Sequence, residues 1–231
     1  MSLLAPSRLL LACAVVLGLA GCATYEVKVD AIARSGGTGN EPASFRIRNV
    51  TPGLANDGLR FRETAAQIKT ALASRGFWEA PASRTPQVFV DVAFGVDAPR
   101  TRLEEDDRPV FAARRDLPGA GPADAFETAP ASPATGGKDV VGFDPVLRRT
   151  IVYPKHLSVV CRESASRVAG KPPLELWSVD ATIEDESKNL REYLPALTAA
   201  VMTKIGRTTD GIAAEELGKN SDAIAYIKQG M

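Results

Sequence analysis

"PLELWSVDATIED", residues Pro173 to Asp185, alternates along its length. Trp177, Val179, Ala181 and Ile183 fall on one face, and Asp180, Thr182 and Glu184 fall on the other. A period of two sends successive side chains to opposite sides of a pleated backbone. The stretch therefore predicts a strand with one apolar face and one wet face. Strands of this kind belong to a sheet that is covered on one side only.

Working outward, "TIVYPKHLSVVCRES" (Thr150–Ser164) is also strand-like. Pro154 has no N–H for a ladder, which predicts an edge or a bulge at that point. Downstream, Leu190, Leu194, Leu197, Val201 and Ile205 recur at helical spacing and predict a helix over Leu190–Ile205. Ser187 or Asn189 is placed to cap it, Gly206 to stop it, and Pro195 to remove one internal hydrogen bond. The tail beyond Arg207 contains "AIAYIKQ", which fits a strand or a helix.

The other half of the chain repeats the theme. "YEVKVDAIA" (Tyr25–Ala33) puts Tyr25, Val27, Val29 and Ala31 on one face, and "SFRIRNV" (Ser44–Val50) is a second short strand. Phe61, Ala65, Ile68 and Leu72 form one stripe of a helix that Asn56 or Asp57 is placed to cap and Gly76 to end. "QVFVDVAFGV" (Gln87–Val96) aligns Val88, Val90, Val92 and Phe94. Between the first two strands, Gly36, Gly37 and Gly39 lack the Lys-Ser/Thr and the helix that a phosphate loop requires, so they mark a turn.

Composition changes at Pro99. Seven of the 16 prolines lie between there and Pro145, in a stretch rich in Ala, Gly and Asp with no period. Residues 100–139 therefore read as a mobile insertion with little that could form a core. Glu104, Glu105, Asp106 and Asp107 run consecutively, without the alternation and glycine of a calcium loop, and read as a solvated charge run. The order β-β-α-β-insertion-β-β-α-tail predicts an α+β domain. Its parts, residues 22–99 and 140–231, form an antiparallel β-sheet with two amphipathic helices packed on one face.

Lys plus Arg and Asp plus Glu balance at 28 each, so no net field exists to draw nucleic acid to the chain. The first 21 residues carry one charged side chain, Arg8, followed by the apolar run Leu9–Leu19. That run is too short to span a bilayer, which takes about 20 residues, and has the layout of a signal peptide. Leu19-Ala20-Gly21-Cys22 resembles the lipobox of bacterial lipoproteins. The resemblance implies removal of residues 1–21 and acylation of Cys22, which becomes the first residue of the mature chain. Several acyl chains, at roughly 0.8 kcal/mol per buried CH₂, hold a protein firmly to a membrane. With Ala rather than Asp at position 23, the resemblance further implies sorting to the outer membrane, with the domain facing the periplasm. Cys13 leaves with the signal and Cys22 carries lipid, so Cys161 has no partner for an intramolecular disulfide.

Three segments extend the resemblance: "NDGLRFRETAAQIKTALASRGF", "VFVDVAFGVDAP" and "LELWSVDATIEDESKNLREYLPALTAAVMTKIGRTT". Together with the lipobox they are similar to an uncharacterised bacterial lipoprotein family with a periplasmic domain. The matching positions are Leu59, Phe61, Glu63, Gly76, Phe77, Gly95, Pro99, Leu176, Trp177, Leu194, Pro195, Ile205 and Gly206. The family's middle segment is rich in Ser, Thr, Gly and Tyr, whereas here it is rich in Pro, Ala and charge. The resemblance implies a location and a fold, and it carries no activity.

The residues that do chemistry are sparse. His156 is the only histidine, and Cys161 follows at an odd separation that puts the two on opposite faces of one strand. A Cys–His dyad would need a bulge between them, and Cys161 reads as a core residue. A zinc site lacks ligands, and Gly-x-Ser-x-Gly does not occur. Asp91, Asp97, Asp180 and Glu184 are the candidates for paired carboxylates of a glycan hydrolase, against a simpler reading of Asp91, Asp180 and Glu184 as the polar face of a sheet. Trp177 reads as a core anchor. Trp78, just after Gly76-Phe77, is a candidate contact residue that either caps the core or stands exposed.

These readings predict a non-enzymatic envelope lipoprotein with no cofactor. It is joined to the membrane through Cys22, and its periplasmic domain binds or scaffolds an envelope protein. One alternative is a small-ligand or glycan-binding module with Trp78 and the insertion lining its site. The other is a carboxylate-based hydrolase.

Overall fold

The computed structural model describes residues 23–34, 41–55, 57–113, 138–165 and 170–230. The expected signal peptide (residues 1–21), Cys22, the expected turn at Gly36–Gly39, Asn56 and residues 114–137 of the expected insertion lie outside them.

The fold is α+β, with a mixed sheet. Its strands are β1 (Thr24–Ala33), β2 (Ser44–Asn49), β3 (Trp78–Glu79), β4 (Val88–Val96), β5 (Arg100–Ala113), β6 (Lys138–Glu163), β7 (Glu175–Asp185) and β8 (Ala213–Gly218). The helices are α1 (Leu59–Ala73), α2 (Leu190–Lys204) and α3 (Asp222–Gln229). The strand order is β3-β2-β4-β6-β7-β1-β8, with β5 paired to β6. The chain divides into two compact units: one of residues up to Arg100 and from Val152 onward, the other Thr101–Ile151.

Every apolar face read from the sequence lines the core of the first unit. Val90, Cys161 and Trp177 lie side by side across β4, β6 and β7, as do Val92, Val159 and Val179, with Ala31 of β1 continuing that row. All seven are buried. The stripes of α1 and α2 cover this face, joined by Ile224 and Ile227 of α3. Thus a third helix completes the layer, and the ambiguous tail resolves into β8 followed by α3. Ser221 starts α3 by accepting a hydrogen bond from the Ile224 N–H.

Four expectations are corrected. First, the sheet is not wholly antiparallel, because β2 pairs in parallel with β3 and β4. The helix α1 carries the chain from the end of β2 back to its start, so β4 sets off in the same direction. Second, residues 100–113 and 138–139 are strand rather than a structureless insertion. In the second unit β5 and the first part of β6 form a ribbon with water-exposed Leu103, Phe143 and Leu147. Such a strand has no buried face to impose a period of two, and Pro109 is tolerated away from a central ladder. Third, Pro154 marks neither an edge nor a bulge. It sits inside β6 opposite Glu184, and the register shift falls at Cys161/Arg162. Fourth, Gly58 rather than Asp57 takes the capping position before α1, with no side-chain cap, and Asn189 precedes α2 without capping it through its side chain. Gly76 and Gly206 do end their helices, with φ of 83° and 70°. At Gly76 that conformation returns the Phe77 N–H to the Leu72 carbonyl at 3.2 Å.

Candidate functional site

The open face of the sheet carries the residues that sequence reading offered for hydrolysis, and it separates them. Asp91 is not a solvated face residue. Its side chain is 3% exposed. Arg48, beside it on β2, donates from Nε to Oδ1 at 2.7 Å and from a terminal nitrogen to Oδ2 at 2.9 Å. Arg162 on β6 donates to Oδ2 at 2.6 Å and to Glu175 at 3.2 Å. The Arg48 guanidinium also lies 4.3 Å from the centre of the Phe89 ring. This two-arginine clamp engages both carboxylate oxygens. Elsewhere, Asp180 is exposed opposite Asp30. Glu184 lies 3.9 Å from Lys28 and 3.8 Å from Arg100. Asp97 meets His156 Nδ1 at 3.1 Å. Gly95 lies across from that ring, where an added Cβ would come within 3.0 Å of it.

Cys161 is fully buried on the core face while His156 points to the open face, so they form no dyad. Burial, with a smaller push from the Asp91 charge, drives the Cys161 thiol up to about 12. A thiol in that state is a packing group rather than a nucleophile. Trp177 is buried against Phe77. Trp78, one residue beyond that phenylalanine, is half-exposed on the two-residue edge strand β3.

The feature that sequence reading missed is a cleft of about 820 Å³ at one end of the helical layer. Leu54, Leu59, Phe94, Val96, Leu190 and Leu194 give it apolar walls. Leu59 is 78% exposed, an unusual setting for a leucine at the first position of a helix. Arg60, Glu63, Lys188 and Arg191 supply its charged groups. Arg191 donates to Glu63 at 2.8 Å, and the Lys188 ammonium lies 4.7 Å from the centre of the Tyr153 ring. Arg60 has no carboxylate partner among the described residues. Pockets that take small ligands measure about 300–1,000 Å³ and combine apolar walls with a few polar groups, as this one does. Trp78 does not line it, contrary to the expectation for a ligand module. Its walls come from four chain segments, so no local motif announced it.

A buried polar cluster lies beside the start of α2. Lys155 is fully buried on the core face. Its ammonium donates to the Tyr153 carbonyl at 3.0 Å and lies 4.4 Å from the centre of the Tyr193 ring. Burial lowers its pKa against the opposing charges of Asp185 and Glu192. Burial acts to raise the Asp185 pKa, but hydrogen bonds from Tyr193 and the Ser187 N–H, with the Lys155 and Lys219 charges, leave it lowered. Tyr25 packs edge-on against Tyr193, with ring centres 5.4 Å apart.

The chain matches no protein-family model and no curated protein. Among solved structures it is similar to a PDZ domain protein from Parabacteroides distasonis ATCC 8503, at 12% identity and a TM-score of 0.43. The match covers 90% of this chain and 42% of that chain, so this chain spans less than half the length of that protein.

Proposed function

We propose that the protein is a lipid-anchored envelope lipoprotein whose periplasmic domain is a non-enzymatic binding module. Cys22 carries the anchor at the outer membrane, and the domain offers its cleft to a small ligand. The observation that carries the binding reading is the 820 Å³ cleft, apolar on its walls and with Arg60, which has no carboxylate partner among the described residues, beside it. Of two candidate reactive groups, Asp91 is held by its arginines and Cys161 is buried. The lipobox resemblance supports the location.

The anchor is tested by fractionating cells that carry wild type or Cys22→Ala, with radiolabelled palmitate fed to both. Wild type is expected in the outer membrane with label, and the variant unlabelled and out of it. A variant that stays in the membrane fraction unchanged would overturn the anchor.

A further inference from the structure

We propose that the cleft holds a single-chain anionic amphiphile taken from the membrane to which the protein is anchored. Its hydrocarbon lies along Leu54, Phe94, Val96, Leu190 and Leu194, and its acidic headgroup meets Arg60 and Lys188. The proposal deepens the binding-module reading and rests on Cys22 as the anchor.

Strand β1 begins at Thr24, two residues after Cys22. The Lys219 N–H donates to the Ala23 carbonyl at 2.9 Å, which ties the backbone into the domain at that residue. Consecutive Cα atoms are about 3.8 Å apart, so an acylated Cys22 has no linker with which to hold the domain away from the bilayer. The end of the sheet where β1 starts therefore abuts the lipid headgroups.

The strand registers put the cleft at that same end. Thr24 lies opposite Gly218, the last residue of β8. The last residue of β7, Asp185, lies opposite Tyr153, and the last residue of β4, Val96, opposite Lys155. Val96 is itself a cleft wall. Tyr25, three residues from Cys22, packs on Tyr193 in the first turn of α2, the turn that supplies Leu190, Arg191 and Leu194 to the cleft. A smaller hollow of about 400 Å³ adjoins. It is lined by Tyr25, shares Glu63 and Arg191 with the cleft, and adds Lys219 and Lys228.

Charge selects the class of ligand. Glu63 is engaged by Arg191, while Arg60 and Lys188 have no carboxylate partner among the described residues. An anionic headgroup near these two gains attraction with little competition, whereas a cation gains none. Apolar walls with exposed Leu59 at the mouth suit an acyl chain better than a sugar, whose hydroxyls would go unsatisfied there.

The test uses full-length protein, purified in mild detergent from cells that carry wild type or the double variant Leu59→Glu/Arg60→Glu. Both substituted side chains are exposed. Solvent extraction and mass spectrometry should find a non-covalent acidic lipid with the wild type and at least a tenfold smaller yield with the variant. In parallel, a fluorescent polyunsaturated fatty acid is bound and then displaced with dodecanoate or with lysophosphatidylglycerol. Displacement by both, with tenfold weaker probe binding to the variant, supports the cleft. If only dodecanoate displaces the probe, the ligand is a free fatty acid and a membrane lipid is overturned. No extracted lipid and no probe binding overturn the proposal while leaving the anchor intact. A protein mass without acyl groups on Cys22 overturns the anchor and the membrane source together, and probe binding then reports the cleft separately.

Discussion

Two buried charges in the same sheet are satisfied in opposite ways. Asp91, on the open face, is held by two arginines whose far ends reach water, with side-chain exposures of 44% for Arg48 and 37% for Arg162. Lys155, on the core face, has no carboxylate bonded to its ammonium among the described residues. Backbone carbonyls of Tyr153 and Asp185 and the Tyr193 ring take that place. On the open face a charge can be met by long side chains that snorkel outward. Beneath helices no such chain fits, so the backbone and an aromatic ring do the work at lower dielectric.

The comparison predicts an asymmetry, and the largest effect is on the open face. Arg48→Ala/Arg162→Ala leaves Asp91 buried and unpaired, with an expected loss of about 3–5 kcal/mol. Asp91→Ala frees two arginines that can swing into water, and its expected loss is nearer 1–3 kcal/mol. Urea denaturation of the two variants checks the order, and equal losses would break the comparison.

On the core face the charge itself matters less than the volume. Lys155→Met keeps the length and removes the desolvation cost, so stability is expected to stay within about 1.5 kcal/mol of wild type. Lys155→Ala leaves a void and loses about 2–4 kcal/mol. If Met is as damaging as Ala, the ammonium is essential to the fold.

The smallest effect near neutral pH is a slope that opens only in alkali. The folded Cys161 thiol keeps its proton up to about 12, whereas its ordinary value is 9.0. Between those values the unfolded chain has released a proton that the folded chain retains. This contribution is therefore fully present below pH 9 and is lost as pH rises, at about 1.4 kcal/mol per pH unit. Lys155, with its pKa lowered by burial, acts with the opposite sign as pH climbs toward 10.5. Stability–pH curves of Cys161→Val and Lys155→Met should change slope in opposite directions.

How much of this was legible follows from which residues have a buried face. In β7 every second residue from Trp177 to Ile183 meets the core, and the period of two shows in the sequence. In β5 the charged run Glu104–Asp107 meets water, and Arg102 pairs with Glu104 at 2.8 Å along the strand. Nothing there demands alternation, and the strand reads as loop. Asp91 looked like a wet residue because its two arginines are 43 and 71 positions away.

The sequence alone determined the α+β class, the core faces of β1, β4, β6 and β7, and the stripes of α1 and α2. Each depends on residues two to four apart, where burial writes a period into neighbouring side chains. It also carried the lipobox-like stretch Leu19-Ala20-Gly21-Cys22, a contiguous resemblance. Only the tertiary structure decided the parallel pairing of β2 with β4, the pairing of β5 with β6, the clamp on Asp91 and the cleft beside α1 and α2. These depend on segments far apart in the chain, and contacts at that range impose no local pattern.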